Sequence, residues 1–168
     1  MNTLIEWTAQ YLLWVMVLGF AAVWLLAENR RGKLEVAAET IVGLVLAGAL
    51  LYLAKSVHHD PRPFVVDPSV KPLFSHGRDD GFPSDHSVAG GLIAGLVLLR
   101  HRLVGLVFLA AAVAIAWARV AAHVHHLQDV VAGLLLGGLA AVVAYVIVAR
   151  LIAHRLPAGR NEAVAHRR

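Results

Sequence analysis

The residues best suited to chemistry form one stretch, Ala118-Arg119-Val120-Ala121-Ala122-His123-Val124-His125-His126-Leu127-Gln128-Asp129. It breaks a long apolar tract with an arginine, three histidines and an aspartate. Ionisable groups in such surroundings are costly, so they face one another and mark function. His125 and Asp129 are four residues apart and share a face if a helix begins near His125. A carboxylate there accepts the Nδ1 proton of the ring, which fixes the tautomer and leaves Nε2 as a nucleophile or base. His126 is three residues from Asp129, so spacing alone allows either histidine to be the partner. Arg119 lies six residues before His125, too far around to share its face on an unbroken helix. A turn between them would aim both at one point. Taken by itself, a His/Asp pair in a membrane protein is more often structural than catalytic.

Two further clusters carry charge. Lys55 is followed, after six residues, by Arg62-Pro63. An arginine offers a phosphate a bidentate fork and a lysine a point charge; alone, a lysine at the end of an apolar run simply snorkels to the interface. The second cluster is Gly81-Phe82-Pro83-Ser84-Asp85-His86. Ser84 or Asp85 suits the N-cap of a following helix, whose free N–H groups bind anions. His86, in the first turn, can reach the same anion; capping accounts for Ser84 and Asp85 but not for His86. Together the clusters supply three cations, a capped helix terminus, two histidines and an orienting carboxylate. That set describes an anion site with a nucleophile and an acid beside it.

The elements that must position these groups are apolar. Of 168 residues, 59% are hydrophobic and 15% charged, and mean hydropathy is +0.69. Such a chain is an integral membrane protein. Its net charge of +4 sits in short loops between apolar runs, which is a topology signal and argues against a nucleic-acid partner. Absence of cysteine excludes disulfides, iron–sulfur clusters and thiolate metal sites. The expected fold is all-α, a polytopic transmembrane bundle of about five spans: Tyr11 to Ala27, Val36 to Ala54, His86 to Leu99, Leu103 to Ala118 and Val130 to Ala149. Met1 to Gln10 reads as a short interfacial segment, and Glu39 as a headgroup-level residue. Lys55 to Phe82 holds Pro61, Pro63, Pro68 and Pro72, and no helix is expected through it. Residues 1–155 form a single domain and 156–168 a basic tail. No basic residue precedes the first run and Arg30, Arg31 and Lys33 follow it, the reverse of a cleavable signal peptide. These basic residues, with Arg100, Arg102 and the tail arginines, place one side and the C-terminus in the cytoplasm and the polar clusters on the extracytoplasmic face of the cell membrane. Gly91 with Gly95, and Gly133 with Gly137, repeat at the four-residue spacing that lets helices approach closely.

At the three clusters the chain resembles the type 2 phosphatidic acid phosphatase (PAP2) superfamily of membrane lipid phosphatases. Lys55, Arg62 and Pro63 match its K-x6-R-P motif; Pro83, Ser84 and His86 match P-S-G-H, with Asp85 for glycine; Arg119, His125 and Asp129 match S-R-x5-H-x3-D, with Ala118 for serine. The Gly-Phe-Pro-Ser-Asp-His-Ser segment, Arg62-Pro63-Phe64-Val65, His76 and Asp79-Asp80 look like the bacterial undecaprenyl-pyrophosphate phosphatase branch. The resemblance implies a helical bundle, often of six spans, and a metal-free hydrolysis needing no cofactor. It selects His125 over His126, making His125 the nucleophile that forms a phosphohistidine. Asp129 would orient it. His86 would protonate the leaving oxygen and then activate water. Lys55, Arg62, Ser84, Asp85 and Arg119 would bind the substrate phosphate. Ala118 lacks the family's hydroxyl, which places a direct phosphate contact there in doubt. The implied activity is hydrolysis of undecaprenyl (polyprenyl) pyrophosphate to the monophosphate and phosphate, recycling a cell-wall lipid carrier. Phosphatidic acid, phosphatidylglycerophosphate or another prenyl phosphate is the alternative substrate. Readings from other classes are a catalytically inactive lipid-binding protein and a histidine-rich metal protein, with His58, His59, Asp60, His123, His125, His126 and Asp129 as ligands for zinc, copper or iron. The default reading for His58, His59, His101, His123 and His126 is interfacial polarity.

Overall fold

Near a bilayer core, backbone polar groups are satisfied most simply by continuing a helix. The apolar runs accordingly fold as helices that extend past them at most ends. A computed structural model describes residues 2–155. Its helices are α1 (Asn2–Ala27), α2 (Arg30–Val57), α3 (Pro63–Val66), α4 (Asp85–Arg100), α5 (Arg102–Ala121) and α6 (Leu127–Arg155). The described chain is all-helical, and α1, α2, α5 and α6 are long and apolar enough to cross a membrane. The expected tail, 156–168, lies outside the described residues.

Three expectations change. The N-terminal segment is not separate, because α1 runs unbroken from Asn2. The proline-rich stretch is not wholly irregular: Pro63 at the first helical position starts the four-residue α3, where a proline's missing N–H costs nothing. The fourth span is longer than Leu103 to Ala118. α5 has 20 residues, or ~30 Å at 1.5 Å per residue, so Arg119 falls inside its last turn.

α4 is the centre of the bundle and packs against α1, α2, α5 and α6. It has only 16 residues, ~24 Å. The α4–α6 seam is set by the glycines at four-residue spacing. A Cβ on Gly137 would sit 2.1 Å from the Val88 carbonyl oxygen, and one on Gly91 2.5 Å from that of Leu134. Any side chain at either position would push the helices apart.

The loop between α2 and α4 is tied down. Pro61 bridges to Asp80, the Gly81 N–H donates to the Asp60 carbonyl at 2.7 Å, and the Leu73 N–H donates to the Ala122 carbonyl at 3.1 Å. Phe64, Leu73 and Phe74 pack with Ile5 on Ala9, Ala118, Ala122 and Val124. At the other end of the bundle Glu39 is buried against the protein, accepting from Arg100 Nε at 2.9 Å and Nη2 at 2.7 Å. Glu35 and Glu28 add to the pair. This network locks α2 to the end of α4.

Candidate functional site

The turn after α5 builds the site. His123 has φ 59° and stands just past the C-cap Ala122. The His123 N–H donates to the Val120 carbonyl at 2.9 Å and the Val124 N–H to that of Arg119 at 3.2 Å. These are the paired bonds that end a helix through a left-handed residue. The chain reverses, and His125 returns against Arg119. His125 therefore precedes α6 rather than lying on it, while Asp129 occupies the first turn of α6.

The spacing left His125 and His126 as alternatives, and the geometry separates them. His125 Nδ1 lies 3.2 Å from Asp129 Oδ2. His126 gives Asp129 only its backbone N–H, at 2.8 Å, and turns its ring to Asp60 at 3.1 Å. With the Nδ1 proton held by the carboxylate, His125 Nε2 carries a lone pair. Arg62 Nη1 lies 3.1 Å from that atom and Arg119 Nη2 3.4 Å. Both arginines, His125 and Asp129 are buried. Arg62 is anchored by the Val124 carbonyl at 2.8 Å and Arg119 by that of Ala9 at 3.4 Å. Burial, then Arg119 and Arg62, push the His125 pKa below its ordinary value, with the Asp129 carboxylate opposing them. These influences favour the neutral ring, whose Nε2 lies between two guanidinium groups.

The second cluster closes the site from α4. Ser84 is the N-cap by position, yet its hydroxyl makes no capping bond. Its backbone N–H donates to the Asp129 carbonyl at 3.0 Å, which ties α4 to α6. Ser84 Oγ and Arg119 Nε are buried and have no partner among the described residues. His86, in the first turn of α4, lies within electrostatic reach of Arg119 and His125. Lys55 Nζ binds Asp85 Oδ1 at 2.9 Å, both partly exposed. The Asp85 carboxylate is thereby engaged by Lys55. What Asp85 can offer an anion is its backbone N–H at the helix start. Ala118 is fully buried in an apolar cluster with Ala9, Ala122 and Val124.

Three residues of the loop join the site without a spacing signal in the sequence. His76 Nε2 lies 2.7 Å from Arg119 Nη2, and its ring is 6.3 Å from that of His125, edge to face. Phe74 lies under the Arg119 guanidinium, 5.5 Å from centroid to Cζ. Asp79 meets Arg62 through two contacts of 3.3 Å, and those hydrogen bonds hold its carboxyl below the usual range. A lone histidine and an aspartate in a proline-rich loop give no periodicity to read; only their likeness to the undecaprenyl-pyrophosphate branch pointed to them. Of the possible metal ligands, Asp60, His126 and Asp129 bring donor atoms within 4.8 Å of one another. His59 instead pairs with Asp80 at 2.7 Å, His58 packs against Phe82, and His123 faces the Lys71 carbonyl at 3.4 Å.

A family model described as the PAP2 superfamily matches residues 37–153. The chain is 32% identical over 141 residues to the bacitracin transport permease protein BcrC of Bacillus licheniformis, an alignment covering 84% of this chain and 68% of that one. It is 31% identical over 107 residues to the undecaprenyl-diphosphatase BcrC of Bacillus subtilis (strain 168), covering 62% of this chain and 53% of that relative. Among solved structures, the crystal structure of Aquifex aeolicus LpxE superposes with a TM-score of 0.67 at 24% identity, covering 85% and 84% of the two chains. That last likeness is one of fold.

Proposed function

Because this chain belongs to the PAP2 superfamily, we propose that it hydrolyses undecaprenyl (polyprenyl) pyrophosphate to the monophosphate and phosphate through a phosphohistidine on His125. The observation that carries this reading is the setting of His125 Nε2, which has two guanidinium groups within 3.4 Å while Nδ1 faces a buried carboxylate. The name of the Bacillus subtilis relative supports the choice of substrate.

The chemistry follows from the groups present. A terminal phosphoryl group entering between Arg62 and Arg119 takes their N–H donors, which releases the Nε2 lone pair. Nε2 attacks phosphorus, the bond to the bridging oxygen breaks, and His86 donates its proton to that oxygen. Water then attacks the phosphohistidine, His86 recovers a proton, and phosphate leaves with Nε2 restored. Arg62 and Arg119 neutralise the equatorial oxygens throughout, the main demand of phosphoryl transfer. Ser84 Oγ and Arg119 Nε, buried and unpaired among the described residues, are available to the same oxygens. The backbone N–H groups at the start of α4 add donors, and Lys55 with Asp85 forms the rim. This role needs a site on the extracytoplasmic face of the cell membrane with the C-terminus inside, as the basic loops favour.

The test is phosphate release by the purified chain in detergent, given undecaprenyl pyrophosphate, phosphatidic acid and phosphatidylglycerophosphate under one condition. The expected result is preference for the pyrophosphate and no turnover by His125→Ala. Full activity in that variant would end the proposal, and preference for phosphatidic acid would move the substrate within the family. A metal reading draws on the convergence of Asp60, His126 and Asp129; loss of activity on chelation with recovery on adding back one metal would favour it.

A further inference from the structure

His76 is a third histidine beside the reacting atoms, and the mechanism above leaves it without a task. Its Nε2 lies 2.7 Å from Arg119 Nη2. A guanidinium only donates, so Nε2 here is the acceptor and the ring is neutral, with its proton on Nδ1 facing the Gly77 carbonyl at 3.4 Å. His76 faces Arg119 from α5, Arg62 from the loop before α3, His125 from the turn and His86 from α4. Of the carboxylates of its own loop, Asp79 also lies within electrostatic reach of the ring but is paired with Arg62, and Asp80 is paired with His59. Burial, and then Arg62 and Arg119, hold the His76 pKa below its ordinary value. Beyond burial, what keeps His76 neutral is chiefly a pair of cations that a phosphoryl group is expected to occupy.

Resting on the reading of this pocket as a phosphate site, we propose that His76 is a proton-coupled phosphate ligand. A dianion binding to Arg119 displaces Nε2 from the guanidinium. His76 then takes a proton from solvent at Nε2 and donates that N–H to the anion. The balance is simple: one proton enters with the anion, no covalent bond changes, and the proton leaves when phosphate does. Substituting the anion's charge for the facing cations reverses the field at the ring, and a nearby negative charge favours the protonated imidazole. The bound state thereby gains a charge-assisted hydrogen bond, the stronger kind. His76 is also half-buried on a loop, where solvent can supply the proton.

The experiment is calorimetric titration of the detergent-solubilised full chain with inorganic phosphate, in wild type, His76→Gln and His76→Asn. It runs from about pH 5.5 to 8.5, a range centred on histidine titration, in two buffers of different ionisation heat. Phosphate's own titration is common to all three proteins and cancels in their ratio. Wild type is expected to bind about tenfold more tightly than either variant near pH 6, the worth of one charge-assisted bond. The difference should close toward pH 8.5, and wild-type binding should take up as much as about one more proton than the variants. Unchanged melting temperatures establish that the variants are folded, and asparagine provides a second neutral replacement. Identical pH profiles and proton uptake in all three proteins would overturn the proposal. So would a loss of affinity equal at every pH, which would make His76 a fixed brace for Arg119. Failure of wild type to bind phosphate at any pH would overturn the phosphate-site reading itself, an outcome distinct from failure of His76 alone.

Discussion

Asp129→Asn separates two jobs that one carboxylate performs. Asp129 Oδ2 receives the His125 Nδ1 contact at 3.2 Å and the His126 backbone N–H at 2.8 Å, and Oδ1 has no partner among the described residues. In the asparagine variant the two donors therefore select the amide oxygen for the Oδ2 position and send the NH2 group to the Oδ1 side. The tautomer of His125 survives, and only the charge is lost. A hydrogen bond to a charged group is worth about 1.5–3 kcal/mol against about 0.5–1.5 for a neutral one. The deficit for the bond to the developing imidazolium is then about 1–2 kcal/mol, a loss in kcat of about 5- to 30-fold. Asp129→Ala removes the tautomer control as well and leaves the His126 N–H unpaired; its loss should approach the about 10⁴-fold seen where an orienting carboxylate no longer fixes the tautomer. Single-turnover phosphate release from undecaprenyl pyrophosphate reads kcat directly, and KM should move little, because Asp129 lies behind His125 relative to the arginines. Equal activities for the asparagine and alanine variants would refute the tautomer reasoning, and wild-type kcat in the asparagine variant would refute the charge reasoning.

Four other outcomes are expected. Because the His125 pKa is depressed, the neutral ring persists in mild acid, so kcat/KM should stay level below the ordinary histidine value of about 6.5 and fall only beneath the shifted pKa; a profile falling with a midpoint above that value would contradict this. Arg100→Leu strands the buried Glu39 carboxylate and should cost about 3–5 kcal/mol, whereas Glu39→Leu with Arg100→Leu should recover most of it in thermal unfolding in detergent. Gly137→Ala drives a methyl to 2.1 Å from the Val88 oxygen, while at Gly138 nothing lies within 4 Å. The first change should destabilise by about 1–3 kcal/mol and the second should be neutral or stabilising, compared by melting temperature. His123→Gly relieves a left-handed residue and should stabilise by about 1 kcal/mol, while His123→Val should do the reverse.

The residue order alone placed the apolar runs and the charged groups between them, because the cost of isolated charge beside hydrocarbon leaves few arrangements. Lys55, Arg62, Ser84, Asp85, His86, Arg119, His125 and Asp129 were legible in this way. Motif spacing added the family, since three motifs in order constrain the chain more than composition does. Helix ends were read short: α1 extends back to Asn2, α2 starts at Arg30 and α5 reaches Ala121. Hydropathy marks where lipid begins, not where backbone hydrogen bonding stops. Other features depended on folding. Glu39 and Arg100 are far apart in the chain, and only packing of α2 on α4 joins them in a pair whose carboxylate is buried and whose guanidinium is partly so. His125 and His126 were equivalent by spacing until a left-handed turn at His123 gave one ring to Asp129 and the other to Asp60. His76 and Asp79 reach the arginines because a proline-rich loop folds onto the ends of α1 and α5. Such loop contacts depend on where the chain is carried in space, which has no period along the sequence.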